Sequence, residues 1–274
     1  MPLLAVSDAE NTSSNSSSVS DKSGSIHIKM KANPLSRDEL WIVVVGRNNI
    51  AQSSRSLEQM TRDLCASGFA VHYFESRQAQ RAHRMNDWFD GFLSGSVAEF
   101  CGQYAWCGRW LQKMIKGIWL LAHPSCWDFS RLKGVTYNDR NARDLKKLLC
   151  DWRCHWPSRR VSLFSHSAGG IASSWLEAEA NVVSLVCFGY PFRHPQMPEQ
   201  SYRTAHLQSM RKPFLIIQGN QDVYGSAEQA RQYSLSESIR MEAIQADHNY
   251  DDFSSELYTY CLELVENFYR DAVK

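Results

Sequence analysis

Apolar residues in this chain fall into short unbroken runs, separated by stretches in which they recur every three or four positions. Leu40-Trp41-Ile42-Val43-Val44-Val45 is a largely β-branched run halted by Gly46, the pattern of a strand covered on both faces inside a parallel sheet. From Ser56 to Ala66, Leu57, Met60 and Leu64 stand at near-helical spacing, and Gly68 occupies the place where a helix end favours glycine. Ala70-Val71-His72-Tyr73-Phe74 then reads as a second strand. The alternation resumes with a predicted helix at 141–152, a strand at 160–164, a helix at 168–179 and a strand at 182–188. A strand at 213–218, a helix at 227–233, a strand at 239–244 and a helix at 255–273 complete it. The last helix carries Leu257, Tyr260, Cys261, Leu264, Val265, Phe268 and Tyr269 on one stripe. Strands alternating with helices at this spacing predict an α/β fold with right-handed crossovers and a mainly parallel, doubly wound sheet. Ligands in such a sheet bind at the carboxyl ends of the strands.

Two stretches break the rhythm. Residues 7–25 hold nine serines and Val19 as their only branched aliphatic residue, so residues 1–36 are expected to be a disordered tail. The remainder, 37–274, is expected to be one domain interrupted by an insertion at 77–140, between the second predicted strand and the helix that follows. Within the insertion, Ala98 to Ala122 predicts one helix or two. Phe100, Tyr104, Cys107, Leu111, Met114 with Ile115, and Ile118 share one stripe, while Gln103, Arg109, Gln112, Lys113 and Lys116 lie largely opposite. Trp106 and Trp110 flank the stripe one turn apart. The plainest reading is a packed helical subdomain whose stripe is buried against the sheet domain. The alternatives are a lid lining a substrate pocket and a surface that meets anionic lipid. Nucleic acid is not expected, because no recognition motif accompanies the basic residues.

Composition sharpens this division. The chain has 274 residues and a net charge of +1, with 43% hydrophobic and 22% charged residues, enough apolar material for a sizeable core and unlike a disordered or collagenous chain. The near-neutral total hides a segregation: residues 77–160 hold 15 Lys+Arg against 7 Asp+Glu, a local +8, whereas 161–274 hold 8 against 14, a local −6. Seven of the nine tryptophans lie in the basic part. No apolar run approaches the ~20 residues that span a bilayer. The first residues lack the basic and apolar regions of a secretory signal, so a cytoplasmic location is expected. The eight cysteines are scattered, which predicts reduced thiols. Cys150, Cys154 and His155 form the only close cluster, and no second pair completes a four-ligand zinc set, so no metal is expected.

The candidate chemistry sits at predicted strand ends. Ser165-His166-Ser167-Ala168-Gly169-Gly170 links a strand to a helix, the outline of a nucleophile elbow, in which the residues two before and two after the serine must be small. Ser165 and Gly169 meet that demand around Ser167; taking Ser165 as nucleophile would put Leu163 at a small position. A serine hydroxyl needs an imidazole to take its proton and a carboxylate to hold the imidazole tautomer. Asp222, in the loop after strand 213–218, and His248, after strand 239–244, follow in the order Ser, Asp, His. Asp247, Asp251 and Asp252 are weaker rivals because they share the histidine's own loop. Acyl transfer also needs oxyanion donors, assigned to the backbone N–H groups of Ala168 and Arg47. Trp106, Trp110 and Tyr190 are the candidate pocket residues.

With these residues in view, the chain resembles the α/β-hydrolase superfamily, and within it the KANL/Tex hydrolase-like group related to dienelactone hydrolases. The resemblance covers about 40–76 and 138–274. It is strongest in Gly189-Tyr190-Pro191-Phe192, in Arg203-Thr204-Ala205-His206-Leu207 leading to Lys212-Pro213, in Gln218-Gly219 to Asp222-Val223-Tyr224-Gly225, and in Asp247-His248. It implies an α/β-hydrolase fold and hydrolase activity without naming a substrate, and some members of the group act in protein complexes. Three features depart from the pattern: serine in place of the elbow's first glycine, Val45-Gly46 in place of a His-Gly pair after the first strand, and the long segment at 77–140. The expected activity is hydrolysis of a carboxylic ester or thioester by Ser167, His248 and Asp222 on a small-molecule acyl substrate, without a cofactor. The alternative is a catalytically idle scaffold that binds a protein or anionic partner through the basic insertion.

Overall fold

The computed structural model describes residues 30–31, 40–46, 54–92, 105–124, 127 and 136–273. Among them are seven strands: β1 (Met30–Lys31), β2 (Leu40–Val45), β3 (Ala70–Phe74), β4 (Arg160–His166), β5 (Val182–Phe188), β6 (Phe214–Gly219) and β7 (Ile239–Ile244). They form one sheet in the order β1-β3-β2-β4-β5-β6-β7, parallel throughout except for β1, which runs antiparallel to β3 at the edge. The chain order reverses around β2, whose neighbours are β3 on one side and β4 on the other. A crevice opens at such a switch point beyond the carboxyl ends of the strands.

The unbroken apolar runs are explained by helices on both faces. Alternate residues of the central strands point opposite ways: Val43, Val45, Leu163, Leu185, Cys187 and Ile216 enter one core, and Ile42, Val44, Phe164, Val186, Phe188 and Ile217 enter the other. The first core is closed by α4 (Tyr137–His155) and α5 (Ala168–Ser174), through Leu145, Leu149, Trp152 and Ile171. The second is closed by α1 (Arg55–Ala66) and α7 (Ser255–Val273), through Leu57, Met60, Leu64, Cys261, Val265 and Tyr269. Full burial of each such side chain contributes about 1.5–3 kcal/mol, so the two faces together hold the strand ends in fixed register.

Several expectations change in detail. Met30–Lys31 pairs with His72 and Val71 although it falls in the stretch read as a tail, the rest of which lies outside the described residues. The alternation Ile26-His27-Ile28-Lys29-Met30 carries the two-residue period of a strand. α4 begins at Tyr137, earlier than 141, because Thr136 and Asp139 form a reciprocal capping box. The helices expected at 168–179 and 227–233 end early, at Ser174 and, for α6 (Ala227–Ala230), at Ala230.

Between β3 and α4 lie α2 (Arg77–Phe92) and α3 (Ala105–Ala122). Of the stripe expected to bury itself, Met114 and Ile118 are exposed and Ile115 is half-buried, and Trp119 on the opposite face is buried. The residues at 98–104 lie outside the described set. Among the described residues no helix is long and apolar enough to cross a membrane. Cys150, Cys154, Cys187 and Cys261 are free thiols.

Candidate active site

Ser167 stands between β4 and α5 with φ 53° and ψ −126°, a backbone conformation that non-glycine residues rarely adopt. Close packing on either side enforces it. A Cβ on Gly169 would come within 2.2 Å of the Val45 carbonyl oxygen, so only glycine lets α5 start so near the end of β2. Ser165 fits where a glycine is usual because its side chain is buried and its hydroxyl donates to the Val186 carbonyl at 2.9 Å. That bond occupies Ser165 within the sheet and leaves Ser167 as the serine at the turn. Its own amide donates to the Phe188 carbonyl at 3.1 Å, which ties the turn to β5.

The Ser167 hydroxyl lies 2.8 Å from His248 Nε2. On the far side of the imidazole, His248 Nδ1 is 2.9 Å from both carboxylate oxygens of Asp222. A carboxylate only accepts, so Nδ1 carries the proton and Nε2 is left as an acceptor for the serine O–H. Asp222 is 3% exposed and held by two further donors, Gln218 Nε2 at 3.1 Å and the Tyr224 amide at 2.8 Å. Two of the rival acids are engaged elsewhere: Asp247 accepts from the amides of Asn249 and Tyr250, and Asp251 accepts from the Arg55 amide.

The histidine's loop is fixed by contacts that the linear pattern does not display. His166 donates from Nε2 to the His248 carbonyl at 2.9 Å. Burial pushes the His166 imidazole down to about 4, so it is a neutral donor through the physiological range. Tyr224 lies against the His248 ring at a centroid distance of 4.3 Å. Tyr250, at φ 58°, accepts from the Gly219 amide with its hydroxyl at 2.8 Å, and its own carbonyl accepts from the Ser54 hydroxyl at 2.8 Å. The Ser54 side chain also caps α1. The loop after β7 is thereby fastened to β6 and α1.

Comparisons with known proteins bear on the fold that carries this arrangement. A family model described as an alpha/beta hydrolase domain matches residues 138–265, a span that contains Ser167, Asp222 and His248. Residues 138–265 are thus similar to an α/β-hydrolase domain, and solved structures share the fold. An alpha-beta serine hydrolase homologue from Coxiella burnetii is 14% identical, with 94% of this chain and 99% of that one covered and a TM-score of 0.56. An esterase from Pyrococcus furiosus is 12% identical over 95% of this chain and 92% of its own, with a TM-score of 0.57. A dienelactone hydrolase from Anabaena variabilis is 17% identical over 95% and 98%, with a TM-score of 0.55. At these identities the likeness is one of fold. No curated protein matches the chain in sequence.

As in other α/β-hydrolase folds, the site opens at the carboxyl ends of the strands. A cavity of about 830 Å³ is lined by Ser167, Ala168, His248 and Tyr224, with Arg203 and His194 among its polar residues. Ala168 is the first residue of α5, so its N–H has no acceptor within the helix. Arg203 is buried, with Nε donating to Gln200 at 2.8 Å and Nη1 to the Pro191 carbonyl at 3.2 Å.

Tyr190 requires a correction. It is a core residue, absent from the cavity wall, because its ring packs with Phe192 and Phe214 and its hydroxyl donates to the Arg203 carbonyl at 2.5 Å. Trp106 and Trp110 fall on α3, but their side chains lie outside the described residues, as does Arg47. Among the described residues no group of three or more His, Cys, Asp or Glu is arranged to hold a metal ion. Cys154 is exposed, and His155 bonds back to the Asp151 carbonyl.

Proposed function

We propose that this protein is a serine hydrolase that cleaves a carboxylic ester or thioester through an acyl-enzyme. The observation that carries the proposal is the unbroken chain from the Ser167 hydroxyl through the His248 imidazole to the buried Asp222 carboxylate, 2.8 Å and 2.9 Å in its two links. The strained backbone at Ser167 and the cavity above it support the same reading.

In the first half-reaction, Ser167 Oγ attacks the substrate carbonyl as its proton passes to His248 Nε2. Asp222 steadies the imidazolium through Nδ1–H. The oxyanion is met by the N–H of Ala168, the first residue of α5. When the tetrahedral intermediate collapses, the carbon–oxygen or carbon–sulfur bond breaks and the alcohol or thiol leaves with the proton from Nε2. Water then attacks the acyl-serine with His248 again as base. Collapse releases the carboxylic acid and restores the serine. Every proton in this cycle is carried by His248 and every charge is balanced within the site, so the mechanism needs no cofactor.

The idle-scaffold alternative is disfavoured by the intact hydrogen-bonded chain, because a scaffold has no need to hold Ser167 in a strained conformation. The test is turnover of short-chain aryl esters and acyl thioesters by the wild-type chain, Ser167→Ala and His248→Gln. The proposal expects turnover that falls by at least about 10³-fold in both variants. Equal turnover in all three, or none in the wild type across both substrate classes, contradicts it.

A further inference from the structure

Helix α3 presents an ordered apolar stripe to the outside. Met114, Ile118 and Leu121, spaced by four and three residues, share one face and are 45%, 60% and 72% exposed. Trp119, on the opposite face, is 5% exposed. It stacks on His123 at 4.2 Å and lies 6.3 Å from Trp88 of α2, while Lys116 Nζ donates to Asn86 of α2 at 3.3 Å. The rotation of the helix is thus set by its aromatic side, and that rotation turns the aliphatic stripe away from the protein. Scattered exposed aliphatic residues are ordinary on a protein surface, but a stripe with helical period is the mark of a surface that meets something apolar.

The charge on the same helix selects the partner. α3 carries Arg109, Lys113 and Lys116 and no Asp or Glu. Its neighbour α2 adds Arg77, Arg81 and Arg84 against Asp87 and Asp90. A second copy packed stripe to stripe would bring together two α3 helices of the same net positive charge, with no acid on either to offset it. An anionic surface with an apolar interior matches both features at once. No helix among the described residues can cross a bilayer, so α3 would lie along it.

We propose that α3 docks the protein on an anionic membrane surface, with Met114, Ile118 and Leu121 entering the headgroup boundary and the exposed Lys113 reaching lipid headgroups. The proposal concerns attachment and does not depend on the hydrolytic reading of Ser167.

The experiment is flotation of the full chain with vesicles of phosphatidylcholine alone and of phosphatidylcholine mixed with phosphatidylserine, at low and high salt. It compares wild type, Ile118→Asp/Leu121→Asp and Lys113→Glu, all altered at exposed positions. Circular dichroism and light scattering without lipid accompany each protein. The expected result is binding at least about tenfold stronger to the phosphatidylserine vesicles, weakened by salt. The double variant should lose most of it while keeping its fold, and Lys113→Glu should weaken it by about fivefold or more. Absence of vesicle binding by the wild type overturns the proposal. So does equal binding to both vesicle types, or unchanged binding by the folded double variant. A dimer without lipid that the double variant abolishes would assign the stripe to a second copy and overturn it as well.

Discussion

His166 and His248, 82 residues apart in sequence, are joined by a 2.9 Å hydrogen bond from the first ring to the second residue's carbonyl. The residue just before Ser167 therefore sets the height of the loop that brings the imidazole to it. Replacing His166 with Ala removes the donor to the partly buried His248 carbonyl, which costs about 1 kcal/mol locally and loosens the Ser167–His248 contact. The expected outcome is a kcat lower by about 10- to 100-fold with KM nearly unchanged. His166→Gln, which retains an N–H donor, should recover part of the loss. Steady-state kinetics on the three proteins checks this; equal loss in the Gln and Ala variants would reduce His166 to a space-filling role.

The elbow and α3 make opposite predictions for the same substitution. Gly169→Ala places a methyl group 2.2 Å from a backbone carbonyl that cannot move without shifting β2, so it should destabilise the fold by on the order of 3 kcal/mol. Gly117→Ala, in α3, meets nothing within 4 Å and should stabilise its helix by about 0.5–1 kcal/mol. Urea denaturation of the two variants beside the wild type measures both signs.

His72 gives the fold an acid limit. Its ring is buried between Trp41 and Trp152, neither nitrogen has a hydrogen-bond partner, and burial pushes it down from 6.5 to about 4. The unfolded chain binds this proton more readily than the folded one. The stability contributed by the neutral ring is complete above pH 6.5, falls as pH drops through that value, and is gone below about 4. Across that window the loss amounts to about 3 kcal/mol. His72→Leu should flatten the pH dependence by that amount while leaving His166, which is depressed in the same direction, to contribute its own share. Unfolding midpoints between pH 7 and 4 give the comparison; parallel curves for the two proteins would contradict it.

Much of this was legible in the sequence, and the reasons are local. The strands β2, β3, β5 and β7 were read with their observed ends because burial on both faces, or a sharp turn residue beside them, marks the boundaries. Ser167, Asp222 and His248 were legible because each follows a strand, where the fold puts chemistry. The orientation of α3 was not, since a stripe in sequence carries no information about which side its neighbours occupy. Tyr190 was misread for a related reason: it follows a strand end as the site residues do, yet its hydroxyl finds a carbonyl inside the core. The His166 and Tyr224 contacts on His248 arise from loops meeting in space, and only the position of His166 beside the elbow serine hinted at its part.

The cavity wall predicts the size of the acyl group. Gln78, Asn138, His194, Arg203, Gln221 and Asn249 line it alongside Ala168, Pro191, Val223 and Tyr224, so added methylenes meet a mixed polar and apolar wall. An apolar pocket would reward each buried methylene with roughly a tenfold gain. Here kcat/KM should change by less than about tenfold in total from acetyl to octanoyl esters. A steep rise along that series would show an apolar pocket elsewhere along the crevice.

The central claim is that Ser167 forms a covalent acyl-enzyme, and the most direct measurement is the site of covalent labelling by a fluorophosphonate. Mass spectrometry of the digested protein should place the adduct on Ser167, with labelling lost in Ser167→Ala and greatly slowed in His248→Gln. Failure of the folded wild-type protein to label, or an adduct on any other serine that persists in Ser167→Ala, would contradict the account.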